Sequence, residues 1–106
     1  FQVDYKNGKI ITAGQDRRAV FYTKNDTYYK ESNFLIYSCA LNSNGKLAAY
    51  SSNENNDVTI FDTLSKKDLY QLKENKMTLT KILFINDNGI LVASDDNKIN
   101  YYKIKE

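Results

Sequence analysis

The chain has no histidine, no proline and no tryptophan, and only one cysteine, one methionine and four glycines among its 106 residues. Without an imidazole there is no Ser-His or Cys-His pair and no histidine general base, which excludes the common nucleophilic hydrolases. One cysteine and no histidine leave no ordinary zinc site. The single thiol, Cys39, cannot form an internal disulfide, and its place in an apolar run predicts a buried, inert side chain. No apolar run approaches the ~20 residues of a membrane-spanning helix. Fifteen basic and thirteen acidic residues leave a net charge of +2. No strong field follows, and with no basic stripe along the chain nucleic acid is not an expected partner. No catalytic constellation and no cofactor pattern is visible. Phe1 is not a natural start, so a segment is expected to have been removed upstream.

What is present suits pleated sheet. Hydrophobic residues make up 42% of the chain, which is one domain's worth or less, and they lean on Ile, Leu, Val, Phe and nine Tyr. Asparagine takes over much of the turn work that proline and glycine usually do, because it tolerates the left-handed region better than other non-glycine residues. The clearest stretch runs from Ile36 to Thr63: strand, Asn44-Gly45 turn, strand, polar loop, strand. The same order is written before and after it. Gly8, Gly45 and Gly89 each follow a polar turn and precede an apolar run, at spacings of 37 and 44 residues. That is near the ~40–45 residues of a four-stranded propeller blade.

The first copy, 1–33, has strands at Phe1–Tyr5, Lys9–Ala13, Ala19–Thr23 and Thr27–Tyr29. The second, 34–77, has strands at Leu35–Leu41, Lys46–Ser51, Val58–Asp62 and an edge-like Asp68–Leu72; the near-continuous apolar run at Lys46–Ser51 predicts cover on both faces. The third, 78–106, has strands at Leu79–Ile85, Ile90–Ser94 and Ile99–Ile104 and then stops without a fourth. Runs of about five residues between Asn, Asp and Gly turns at ~8–12-residue intervals argue against helix. Ser65–Met77 is the one stretch where a short helix would fit.

At these residues the chain resembles WD40 repeats. Leu41-Asn42-Ser43-Asn44-Gly45-Lys46-Leu47-Ala48-Ala49 and Phe84-Ile85-Asn86-Asp87-Asn88-Gly89-Ile90-Leu91-Val92-Ala93 resemble the first half of such a blade. Ser94 to Tyr102 resembles the second half, Phe61-Asp62 stands where Trp-Asp would be, and Tyr22 and Tyr102 take the aromatic place in the other copies. The family's Gly-His pair and Trp are absent, so its Asp–His–Ser/Thr–Trp network cannot form, and Asp16 and Asp96 are expected to accept from nearby backbone N–H groups instead. The resemblance implies an all-β fold of four-stranded antiparallel propeller blades, about two and three-quarter of them here. Each blade needs neighbours on both faces, so the chain is expected to complete them with absent blades or by self-association. A ring closed by an upstream strand would place Glu106 near the end of the natural chain.

The function that the resemblance implies is a non-enzymatic scaffold for protein partners. Two other readings stand beside it: a bacterial accessory propeller that assists assembly of a periplasmic or membrane enzyme complex, and an enzyme whose active site lies in absent blades. The candidate partner-binding rim is Arg17, Arg18, Glu54, Asn55, Asn56, Asp95, Asp96 and Asn97, expected on one face opposite the first hairpins; a solvated loop is the plainer reading of the same residues. Asn86-Asp87-Asn88-Gly89 and Asp95-Asp96-Asn97 faintly resemble calcium ligands but lack the spacing and distal Glu of an EF-hand, and read as turns. Asn25-Asp26-Thr27 fits a glycosylation acceptor.

Overall fold

The structure, a computed structural model, describes residues 2–14, 16–32, 35–51, 57–73, 79–86, 88–94 and 98–104. Among these the chain is all β, with eleven strands and no helix. The first sheet is a four-strand meander of β1 (Gln2–Lys6), β2 (Lys9–Ala13), β3 (Arg18–Tyr22) and β4 (Thr27–Glu31). The middle sheet repeats it with β5 (Cys39–Leu41), β6 (Leu47–Ser51), β7 (Val58–Asp62) and β8 (Asp68–Leu72). The third has β9 (Leu79–Phe84), β10 (Gly89–Ser94) and β11 (Ile99–Lys103). Every pairing is antiparallel. Of the stretch Ser65–Met77, where a short helix fits the sequence, the described part carries the strand β8, and residues 74–77 lie outside the described residues.

Side-chain alternation makes three layers of these sheets. Leu41, Ala48 and Phe61 are paired across the middle sheet and pack with Ile11, Ala13, Ala19 and Phe21 of the first. Ala40, Ala49 and Ile60 point the other way and pack with Ile82, Ile90 and Val92 of the third. The middle sheet is therefore covered on both faces, as the apolar run at Lys46–Ser51 predicts. The three copies of the column fall in the same place: Tyr5–Ile10–Tyr22, Leu41–Ala48–Phe61 and Phe84–Ile90–Tyr102. The second rests on the first sheet and the third on the middle sheet; the first faces outward.

The first strands of the sheets meet at one edge, and β1 covers the open edge of β5. Cys39 N donates to Gln2 Oε1 at 3.1 Å and Leu41 N to Asp4 Oδ2 at 2.9 Å. Gln2 Nε2 donates onward to Ile82 O at 3.1 Å, and Ile82 N returns a longer bond of 3.4 Å to Oε1. One glutamine thus joins all three sheets and satisfies edge N–H groups that would otherwise be unpaired. Replacing Gln2 with Ala should cost about 1–3 kcal/mol, the usual penalty for orphaned buried donors. Urea unfolding would measure it, and a loss within error of zero would mean that water satisfies these groups as well as Gln2 does.

Turn chemistry follows the sequence closely. Asn7 (φ 51°) and Gly8 (φ 77°) both lie in the left-handed region, which makes a two-residue type I′ hairpin. Asn42, Asn44 and Asn86 each accept a nearby backbone N–H through Oδ1, from Leu47, Lys46 and Asn88. Asp16 accepts from Arg18 N at 3.2 Å, as expected, while Asp96 lies outside the described residues. One expectation is shortened: strand pairing before the Asn44-Gly45 turn covers Cys39–Leu41 rather than Leu35–Leu41. Before it, Ser51 N donates to Ser38 O at 3.1 Å and Tyr37 N donates to the Ser51 hydroxyl, 3.2 Å away.

Candidate docking face

In a meander the odd-to-even turns share one end. Here the β1–β2, β3–β4, β5–β6, β7–β8 and β9–β10 turns do so. The ends of the first two sheets are tied together: Asn7 Nδ2 donates to Asn44 O at 3.1 Å, Lys9 Nζ to Gly45 O at 3.3 Å, and Lys66 pairs with Asp26 at 3.1 Å. This end gathers Lys6, Lys9, Lys24, Lys46, Lys66 and Lys67 against Asp4, Asp26 and Asp62. Lys6 and Lys66 are in ion pairs with Asp4 and Asp26; Lys24, Lys46 and Lys67 form none among the described residues.

The β7–β8 turn stands at the centre. Asp62 Oδ1 accepts Leu64 N at 2.9 Å and Ser65 N at 2.8 Å, and Lys66 (φ 67°) closes the turn with its N–H on Asp62 O. Thr63 is pinned at both ends: its N–H and hydroxyl donate to Lys46 O and Gly45 O, and its carbonyl accepts from Tyr28 Oη at 2.8 Å. Burial, then the Asp26 and Asp62 carboxylates, push the Tyr28 hydroxyl well above the usual tyrosine range, so it stays a donor. The turn is held so firmly that Leu64 projects outward, 91% exposed.

Grooves run along both sides of Leu64. One of about 290 Å³ is lined by Lys9, Lys46, Asp62, Thr63 and Leu64. A second, of about 270 Å³, continues past Lys46 and Asp62 to Asn42, Asn44, Tyr70 and Ile104 between the middle and third sheets. A third, of about 120 Å³, lies between Lys9, Tyr28 and Leu64. The two larger ones, which share Lys46 and Asp62, each fall at the lower edge of the ~300–1,000 Å³ of a typical small-molecule site. Their size and chain-like succession suit the side chains of an extended peptide.

The Ser65 backbone N–H first, with the Leu64 N–H, the Ser65 hydroxyl and Lys9, holds the Asp62 carboxyl below its usual range. A depressed folded-state pKa contributes stability above the unfolded value and loses it as pH falls. Replacing Asp62 with Ala should cost about 1 kcal/mol at neutral pH, comparable to losing a capping side chain. The gap between wild type and variant should close as pH falls through about 4 and below. Urea midpoints across pH would check this, and a constant gap would refute it.

Of the rim residues expected from the sequence, Arg17 in the β2–β3 connection and Arg18 at the start of β3 lie at the opposite end. Arg18 Nε is 3.4 Å from Glu31 Oε2, and its guanidinium lies over the Tyr29 ring at 4.4 Å. Arg17 (φ 62°) accepts from Ser32 N through its carbonyl. Glu54, Asn55, Asn56, Asp95, Asp96 and Asn97 lie outside the described residues, as does Asp87. Asn25 and Thr27 are exposed at the β3–β4 turn. Tyr102 is half-buried against the middle sheet and donates to Lys73 O at 2.7 Å. Among the described residues no group of three or more Cys, Asp or Glu side chains could hold a metal ion, and no helix is long and apolar enough to cross a membrane.

The lysine cluster and Leu64 were not singled out by the sequence. The lysines come from four turns of two sheets, so they are scattered along the chain. Leu64 reads there only as part of a turn. No protein-family model matches the chain, and no curated protein matches it.

Proposed function

We propose that the chain is a divergent WD40-like propeller segment, each sheet a blade, acting as a non-enzymatic scaffold that docks an acidic segment of a protein partner at the hairpin end. The blade reading is supported by three meanders in the same strand order, stacked face to face with their first strands together. The docking reading is carried by one observation: Leu64, 91% exposed, stands between grooves lined by Lys9 and Lys46. An exposed leucine on a rigid turn supplies an apolar anchor, and Lys24, Lys46 and Lys67 at the same end, which form no ion pair among the described residues, favour a carboxylate-bearing chain.

A fluorescein-labelled peptide of glutamates around one leucine tests this, with fluorescence anisotropy as the readout. Lys46→Glu and Leu64→Ser should each weaken binding about tenfold, equivalent to about 1.4 kcal/mol. Unchanged binding by either variant, or no binding by the wild type, would overturn the docking face. An oligonucleotide of equal charge binding as tightly would replace an acidic protein by nucleic acid as the partner.

A further inference from the structure

Both ends of the stack carry an apolar face. On the first sheet the outward column Tyr5–Ile10–Tyr22 is flanked by Val3, 65% exposed. On the third sheet the outward column is Leu83–Leu91–Tyr101, flanked by Ile99, 68% exposed. An apolar hollow of about 130 Å³ lies between Lys81, Leu83, Leu91 and Ile99. Soluble proteins seldom expose two such faces without covering them.

The two faces are the halves of an interface that the chain already makes twice. Tyr22 occupies the place in β3 that Phe61 occupies in β7 and Tyr102 in β11, and both of those rest on the preceding sheet. Tyr101 occupies the place in β11 that Phe21 occupies in β3 and Ile60 in β7, and both of those rest on the following sheet. Within the chain, Phe21 and Phe61 meet edge to face with ring centroids 6.5 Å apart.

We infer that a second copy of this chain covers these faces head to tail, the first sheet of one copy stacking on the third sheet of the other with Tyr22 meeting Tyr101 as Phe61 meets Phe21. The faces differ, so the contact is heterologous, and two such contacts close a pair of copies into one ring of six sheets, within the ~4–8 blades that propellers use. The inference rests on reading the sheets as successive blades, and it is independent of what docks at Leu64.

The test uses two single variants, Tyr22→Cys and Tyr101→Cys, both at exposed positions, while the native Cys39 is fully buried and leaves the new thiols as the reactive ones. Light scattering should give twice the chain mass, and Leu83→Glu should shift the protein to monomer. A short bismaleimide should link the two cysteine variants when they are mixed and neither variant to itself. A wild type that stays monomeric at high concentration would overturn the second copy while leaving the docking result at Leu64 to stand separately. A dimer in which each variant links only to itself would show like faces pairing, which overturns both the head-to-tail contact and the blade order beneath it. A dimer with no cross-link in either case would place the contact elsewhere and overturn the inference as well.

Discussion

Replacing Phe61 with alanine should remove about 3–5 kcal/mol of stability, the range for deleting a buried phenylalanine. That is a large part of the ~5–15 kcal/mol that holds a typical domain together. Phe61 is fully buried at the junction of the first and middle sheets. Its ring meets Phe21 at 6.5 Å, Tyr28 at 6.2 Å and Tyr50 at 6.0 Å, in each case close to edge-on. Lys30 Nζ, held by Asp68, lies 5.0 Å above it. No neighbour can swing in to fill the space, because Tyr28 is tied to Thr63 O and Phe21 lies within the β2–β3–β4 ladder. Phe61→Leu keeps much of the volume and should cost under about 1.5 kcal/mol. Urea unfolding of the two variants checks the pair. Equal losses would mean that the volume leucine keeps recovers nothing and that the ring contacts hold the junction.

The second large effect belongs to Gly45. Its φ of +73° is the left-handed region, which costs a residue with a side chain about 1–2 kcal/mol. Space is also lacking: a Cβ there would lie 2.9 Å from Lys9 Cδ and 3.2 Å from the Lys6 carbonyl oxygen. The lysine stem can yield; the β1 backbone cannot without moving the first sheet. Gly45→Ala should therefore cost about 2–4 kcal/mol, strain and overpacking together. Gly8 separates the two causes. Its φ is +77°, yet nothing lies within 4 Å of the added Cβ. Gly8→Ala should lose only the conformational part, about 1 kcal/mol. If the two variants lose the same amount by urea midpoint, the close approach of the two hairpins contributes nothing.

The strands and most turns were legible because their causes are local. Alternation in β1 to β4 and the Asn7-Gly8 dipeptide need no knowledge of distant partners. The two-sided cover of β6 was legible too, since only a middle layer tolerates Leu47-Ala48-Ala49-Tyr50 without a polar face. Other features depend on partners far away in the chain. Gln2 and Asp4 read as the solvent side of an alternating strand, yet both turn inward because the β5 edge lies beside them. Leu35–Ser38 is apolar enough for a strand, but there the pairing with β6 passes into a bond from Tyr37 N to the Ser51 hydroxyl. The proposed docking face was invisible for the same reason: Lys9 comes beside Lys46 and Leu64 only when two hairpins lock through Asn7 and Asn44. Of the rim proposed from the sequence, only Arg17 and Arg18 fall among the described residues, and they sit at the other end from these grooves.

The seam between the first and middle sheets carries its own gauge. Cys39 lies wholly buried there, its Sγ donating to Gln2 O at 3.3 Å and Ile11 O at 3.6 Å. Burial, reinforced by the Asp4 carboxylate, pushes its pKa up to about 12, so a closed seam offers neither access nor thiolate to an alkylating reagent. Labelling must wait for the layers to part, and its rate then reads the frequency of that parting directly. Because Cys39 is the only sulfhydryl in the chain, this clock runs without added dyes or isotopes and reports one joint alone. Substitutions at Gln2, Gly45 and Phe61 would each quicken it in proportion to how much they loosen that joint.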